Sequence, residues 1–331
     1  MRMVPNAADF APPRVLRNPH LQSILASTGP RRWRALVGNP LDAGAVEHVL
    51  DCGDGVRLQG FHNAQAARPQ ARGLVVLLHG WEGSARSTYM LHTGARLLAE
   101  GFDVFRLNFR DHGDTHHLNR ELFHSCRIDE VVGAVAEVAR RFPSPRLALA
   151  GYSLGGNFAL RVALRAPAAG IPLDRIVAVC PLVNPRTGLY ALEDAPRFYE
   201  RYFLHKWRGS LQRKQRLFPD AELFTTAELG GSLRELTRAM VLRHTGFGSL
   251  DAYLDGYSVA GDALAGLRIP ANLLTAADDP VIPIDDFRSL ALPPQVRLDV
   301  APHGGHCGFI HGFSMRGFAE EYVAQRLLRD D

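Results

Sequence analysis

Apolar and polar positions along the chain follow two periods that alternate for most of its length. Val46-Glu47-His48-Val49-Leu50 and Val56-Arg57-Leu58-Gln59-Gly60-Phe61 alternate on either side of Asp54-Gly55, which predicts a β-hairpin. Gly73 to Leu78 is continuously apolar, as expected of a central strand covered on both faces. A helix follows from about Thr88 to Glu100 and stops at Gly101, and Phe102 to Phe109 reads as the next strand. Ile128, Val131, Val132, Val135, Val138 and Phe142 recur at three- and four-residue steps and predict an amphipathic helix over 129–142. Strands at Arg146 to Tyr152 and Arg175 to Cys180 flank a helix from Leu154 to Arg165. The alternation then stops. Residues 184–266 are helical in pattern, charged and rich in aromatics, and strand signals return only at Ile269 to Ala276 and Val296 to Val300, before a closing helix from Phe313 to Leu328.

Short strand–helix alternation predicts an α/β fold with a mainly parallel central sheet and helices on both faces. The pattern divides the chain into an N-terminal arm (1–45), a core (46–183 and 267–331) and an inserted helical cap (184–266). The arm contains the string Asn18-Pro19-His20-Leu21-Gln22-Ser23-Ile24, where Asn-Pro opens a turn and a short helix can follow.

Composition narrows the functional classes. Of 331 residues, 46% are hydrophobic and 22% charged, which suits a soluble globular protein with a sizeable core. The net charge of +4 comes almost wholly from dispersed arginine, since Lys206 and Lys214 are the only lysines, and no nucleic-acid signature accompanies it. The densest basic stretch, Arg201 to Arg216, reads as a solvated helix face. Cys52, Cys126, Cys180 and Cys307 show no paired spacing, so a reducing compartment without disulfides is expected. Met1 to Pro13 has no apolar signal core, and the longest apolar runs are strand length. A cytoplasmic protein without stable membrane insertion follows.

The chemistry centres on Gly151-Tyr152-Ser153-Leu154-Gly155, between a predicted strand and a predicted helix. A nucleophile elbow needs that order, with small residues two before and two after the serine. An activated serine also needs a base and a carboxylate that orients it. Asp278 and Asp279 both lie just past the strand ending at Ala276, and Asp279, which precedes Pro280-Val281-Ile282-Pro283, is the favoured acid. His303 and His306 both follow the last strand. His306, after Gly304-Gly305, is the favoured base and His303 a structural residue. The N–H groups of Leu154 and Trp81 are the candidate oxyanion donors, with His79 holding the Trp81 loop rather than serving as base. Asp111-His112-Gly113-Asp114-Thr115-His116-His117 fits no standard zinc spacing and is expected to be a solvent-facing or rim loop. Trp33 and Trp207 are expected to be packing residues, and no cofactor or metal is expected.

Together the strings Gly-Tyr-Ser-Leu-Gly-Gly-Asn, His-Gly-Trp-Glu-Gly-Ser-Ala-Arg-Ser, Asn-Phe-Arg-Asp-His-Gly, Asp-Asp-Pro-Val-Ile-Pro and Gly-Gly-His-Cys-Gly-Phe resemble the α/β-hydrolase superfamily. With the Asn-Pro-His-Leu-Gln-Ser-Ile string they resemble its YheT-like branch, which also holds ABHD esterase/lipase relatives. The resemblance implies the α/β-hydrolase fold and a serine hydrolase of carboxylic esters, with the triad on Ser153, Asp279 and His306. The aromatics of the predicted cap favour a small ester with an apolar acyl or alcohol part, unless they form the cap's own core. The eukaryotic relatives carry an N-terminal membrane anchor with no counterpart in this sequence, and their loop after the Asn-Phe-Arg string is richer in Gly, Cys and Ser. An acyltransferase or thioesterase would use the same residues. A ligand-binding protein on a hydrolase scaffold would be expected to have lost the base or the acid.

Overall fold

The computed structural model describes residues 6–37, 39, 41 and 44–328. Eight strands form one sheet: β1 (Val46–Asp51), β2 (Arg57–Asn63), β3 (Leu74–Leu78), β4 (Asp103–Leu107), β5 (Leu147–Tyr152), β6 (Leu173–Val179), β7 (Ala271–Ala276) and β8 (Val296–Ala301). Their order is β1-β2-β4-β3-β5-β6-β7-β8. The β1–β2 and β2–β4 pairs are antiparallel and the remaining pairs parallel.

The central strands β3 and β5 are buried along their whole length. Their successive side chains enter opposite cores: Leu74, Val76 and Leu78 on one face, Val75 and Leu77 on the other. On the first face lie the helices Ile128–Arg141 and Leu154–Arg165; on the second lie Thr88–Ala99 and the closing helix Phe318–Leu327. That two-sided cover explains the unbroken apolar strands.

Between β6 and β7 the described chain is helical, with helices at Pro185–Asp194, Phe198–Leu217, Thr226–Gly230, Leu233–His244 and Leu250–Asp255. Thr225 and Ser232 each start a helix with a reciprocal capping box, to Glu228 and Glu235. Among the described residues no helix is long and apolar enough to cross a membrane.

Several expectations need correcting. The closing helix begins at Phe318 rather than Phe313, because Ile310 bridges to Gly317 and His311 N–H donates to Arg316 O, folding the preceding residues into a turn. Phe313 is left exposed. Trp33 is not a packing residue: it is 64% exposed, on the side of its helix opposite the buried Arg31 and Ala35. The stretch Arg201 to Arg216 is not simply a solvated face, since Lys214 is fully buried. Its ammonium donates to Asp111 Oδ1 at 2.7 Å and to the carbonyls of His116 and Asn119. Nor does all of 111–117 face solvent: Asp111, His112, Thr115 and His116 are buried beneath that helix, while Gly113, Asp114 and His117 are exposed.

Candidate active site

Strand β5 delivers Ser153 into a sharp turn at φ 53°, ψ −119°, a conformation that costs an L-residue roughly 1–3 kcal/mol. The surroundings enforce it. Ser153 N–H donates to Val179 O at 2.9 Å, and Ser153 O accepts from Leu182 N–H at 3.2 Å. A Cβ at Gly151 would stand 2.2 Å from Gly155 O, and one at Gly155 would stand 2.3 Å from Leu78 O. The strand and helix can meet this closely only with glycine at both places.

His306 is brought to the serine by a loop whose backbone is left-handed at Gly305, Cys307 and Phe309. Its Nε2 lies 2.9 Å from Ser153 Oγ and its Nδ1 2.9 Å from Asp279 Oδ2. The other carboxylate oxygen, Asp279 Oδ1, accepts from Val281 N–H at 2.8 Å and Ile282 N–H at 3.0 Å. Burial alone would lower the proton affinity of His306. The Asp279 carboxylate reverses that and holds the imidazole well above its ordinary value.

Asp278 turns the other way. It accepts from Gly305 N–H at 2.9 Å and faces His303 Nδ1 at 3.5 Å, so this pair pins the loop that carries His306. The N-terminal arm grips the same loop. His306 N–H donates to Ser23 Oγ at 2.8 Å, and Gln22, fully buried, exchanges bonds with both the N–H and the C=O of Ile310. The Asn-Pro-His-Leu-Gln-Ser string was legible as a turn and helix, but nothing in its spacing pointed to the His306 loop.

The Trp81 loop is held by two buried histidines. His79 Nδ1–H donates to Gly80 O at 2.7 Å, and its Nε2 accepts from Phe109 N–H at 3.2 Å. His112 donates through Nδ1–H to Arg110 O at 2.7 Å and accepts from Glu82 N–H at 3.2 Å. Each ring therefore works as a neutral donor–acceptor bridge. Burial fits this, pushing His79 well below its ordinary value and His112 down to about 4. Gly80 N–H donates to Tyr89 Oη and Gly83 N–H to Gly80 O. Trp81 N–H has no acceptor among the described residues. Leu154 is the first residue of its helix, so its N–H also leaves the helix without an intrahelical acceptor.

Ser153, His306, Trp81 and Leu154 border a cavity of about 500 Å³. Its other wall comes from the helical insertion through Leu189, Phe203, Trp207, Met240 and Tyr253. Trp81 stacks on Phe203 with ring centroids 5.3 Å apart and meets Trp207 edge-on. Trp207, expected as packing only, is both buried and part of this wall. Lys206 Nζ donates to Glu82 O, tying the insertion to the Trp81 loop. Glu82, buried beside the cavity, is pushed up to about 7 by desolvation, against the pull of Lys206.

Comparison with known proteins agrees with this architecture. A model of the alpha/beta hydrolase family matches residues 75–321. "Putative esterase YheT" of Escherichia coli (strain K12) is 29% identical over 316 residues, covering 93% of this chain and 88% of that protein. "Phospholipase ABHD3" of Mus musculus is 23% identical, covering 88% of this chain and 70% of that one. Among solved structures, the Pyrococcus furiosus esterase Pf2001 aligns with a TM-score of 0.52 at 16% identity, over 96% of this chain and 95% of that chain.

Proposed function

The chain belongs to the alpha/beta hydrolase family, and we propose that it is a serine hydrolase that cleaves carboxylic esters through an acyl-enzyme. The observation that carries this reading is the Ser153–His306–Asp279 relay, two contacts of 2.9 Å, opening onto the cavity. Ser153 Oγ attacks the ester carbonyl while His306 Nε2 takes its proton, and Asp279 keeps Nδ1–H in place and stabilises the imidazolium. The N–H groups of Trp81 and Leu154 receive the oxyanion, each worth about 10²–10³ in rate. His306 then protonates the leaving alcohol, and water activated by the same imidazole releases the acid. The apolar wall of Leu189, Phe203 and Met240 favours an apolar acyl or alcohol part. In this reading residues 184–266 cap the core formed by 46–183 and 267–331, with 1–45 as an arm, and four free cysteines fit a cytoplasmic location. The ester-cleaving names of its relatives YheT and Pf2001 point the same way.

The test is labelling with a fluorophosphonate probe together with a chain-length series of p-nitrophenyl esters. Wild type should be labelled and should turn over, and Ser153→Ala should lose both. A wild-type protein that resists the probe throughout the neutral range would end this reading.

A further inference from the structure

Cys180 and Cys307 have no step in the ester mechanism, yet both lie against the relay. Cys180 leaves β6 at φ 42°, and Cys307 follows His306 at φ 58°. Their Sγ atoms and a ring nitrogen of His306 all lie within 4.8 Å of one another. Both thiols make only long contacts to the backbone. Cys180 Sγ is 3.9 Å from Gly305 O, and Cys307 Sγ is 3.8 Å from Val179 O. Cys180 is sealed inside the core, whereas Cys307 borders the cavity and can be reached from it.

We propose that Cys180, Cys307 and His306 form a binding site for a soft divalent cation, zinc or cadmium, and that its occupation switches the enzyme off. Two thiolates and an imidazole are a donor set that such ions prefer over the oxygen ligands elsewhere on the molecule. Tetrahedral bonds of about 2.3 Å to sulfur and 2.0 Å to nitrogen place donor atoms roughly 3.5–3.8 Å apart. The three atoms therefore need to close by no more than about 1.3 Å, and the fourth position is left to water from the cavity. Both thiols release their protons to solvent as the ion binds.

Inhibition follows from the triad geometry. Both nitrogens of His306 are engaged, one with Ser153 and one with Asp279. An ion can gain the imidazole only by taking it from one of them. Either loss leaves the serine without an oriented base. The kinetic part of this inference rests on the serine-hydrolase reading; the binding part does not.

Reduced wild-type protein titrated with Cd²⁺ should develop a thiolate-to-cadmium charge-transfer absorption in the ultraviolet that saturates at one ion per chain. Ester hydrolysis should fall in parallel and return with EDTA. Cys180→Ser should keep its metal-free turnover, show a weaker band, and need at least the roughly tenfold more Cd²⁺ that loss of an outer-shell partner costs, for both the band and the inhibition to saturate. Cys307→Ser should weaken the band and shift it to higher Cd²⁺ in the same way, which covers the case in which the buried Cys180 variant fails to fold. A Cys52→Ser, Cys126→Ser double variant should respond like wild type. No band in the wild type, or an unchanged inhibition curve in folded Cys180→Ser, would overturn the site. If Ser153 proved not to be a nucleophile, the band and its stoichiometry would persist. Failure of the metal site would instead leave hydrolysis intact and the band absent.

Discussion

Asp278 and Asp279 are consecutive carboxylates that the backbone sends to different partners, and they are expected to fail differently. Asp279 raises the proton affinity of His306, so a rate that needs the neutral imidazole should climb with pH through a midpoint above the ordinary value of 6.5. In Asp279→Asn that support is gone. The acid limb should move to lower pH while the plateau of kcat/KM drops by about 10³–10⁴. Asp278→Asn keeps the charge beside His306 and should leave the limb in place, with a loss no greater than about tenfold from a looser loop. A pH–rate profile of both variants checks the assignment, and a larger loss in Asp278→Asn would reverse it. Glu82 makes a separate prediction, on stability. Its folded value of about 7 stands above its ordinary 4.5, so the folded chain binds a proton that the unfolded chain releases between those values. That contribution is fully present below 4.5 and is lost as pH rises through about 7. It amounts to something on the order of 3 kcal/mol. Glu82→Gln should therefore be more stable than wild type, by denaturant unfolding, at pH about 8 but not at pH about 4.

At the scale of elements, the site is assembled from pieces that read very differently in the sequence. The elbow is local: strand, serine and helix are contiguous, and the demand for glycine at 151 and 155 is steric, so spacing alone exposes it. The sheet was legible for a similar reason, since strands covered on both faces become unbroken apolar runs. What stayed hidden are contacts between segments remote in sequence. The helix Pro19–Leu25 lies under the His306 loop through Gln22 and Ser23, and the helix Phe198–Leu217 buries Lys214 against Asp111. Long-range polar pairing of this kind leaves no periodicity, so a lysine in a basic run looks like surface and a histidine-rich loop looks like rim. Gln22→Ala tests the first of these contacts. It strands the buried Ile310 N–H and the carbonyls of Leu16 and Ile310, which should cost about 1–3 kcal/mol and lower kcat more than KM as the imidazole drifts from Ser153. A normal kcat in a destabilised Gln22→Ala protein would mean that the arm supports the fold without positioning His306.

At the scale of the whole molecule, the cavity is lined jointly by the core, by the helices between β6 and β7 and by Ser23, Ile24, Ser27 and Thr28 near the N-terminus. Its volume of about 500 Å³ lies within the roughly 300–1,000 Å³ typical of pockets for small ligands. Ser153 and His306 form the polar end, while Phe203, Met240 and Leu254 line the apolar wall contributed by the insertion. In the proposed acyl-enzyme, the chain attached at Ser153 runs along that wall. Each methylene moved from water into it is worth about 0.8 kcal/mol, hence up to about fourfold in kcat/KM. Across a p-nitrophenyl ester series, kcat/KM should rise from acetate with each added carbon and then level off when the cavity is full. Met240 borders the cavity from the helix Leu233–His244 and is nearly buried. Met240→Trp should fill the far space, leave acetate turnover close to wild type, and move the optimum to shorter chains. A response flat in chain length, or an optimum that does not move in the folded variant, would mean that the acyl group leaves the site by another route and that the insertion's apolar wall serves its own packing.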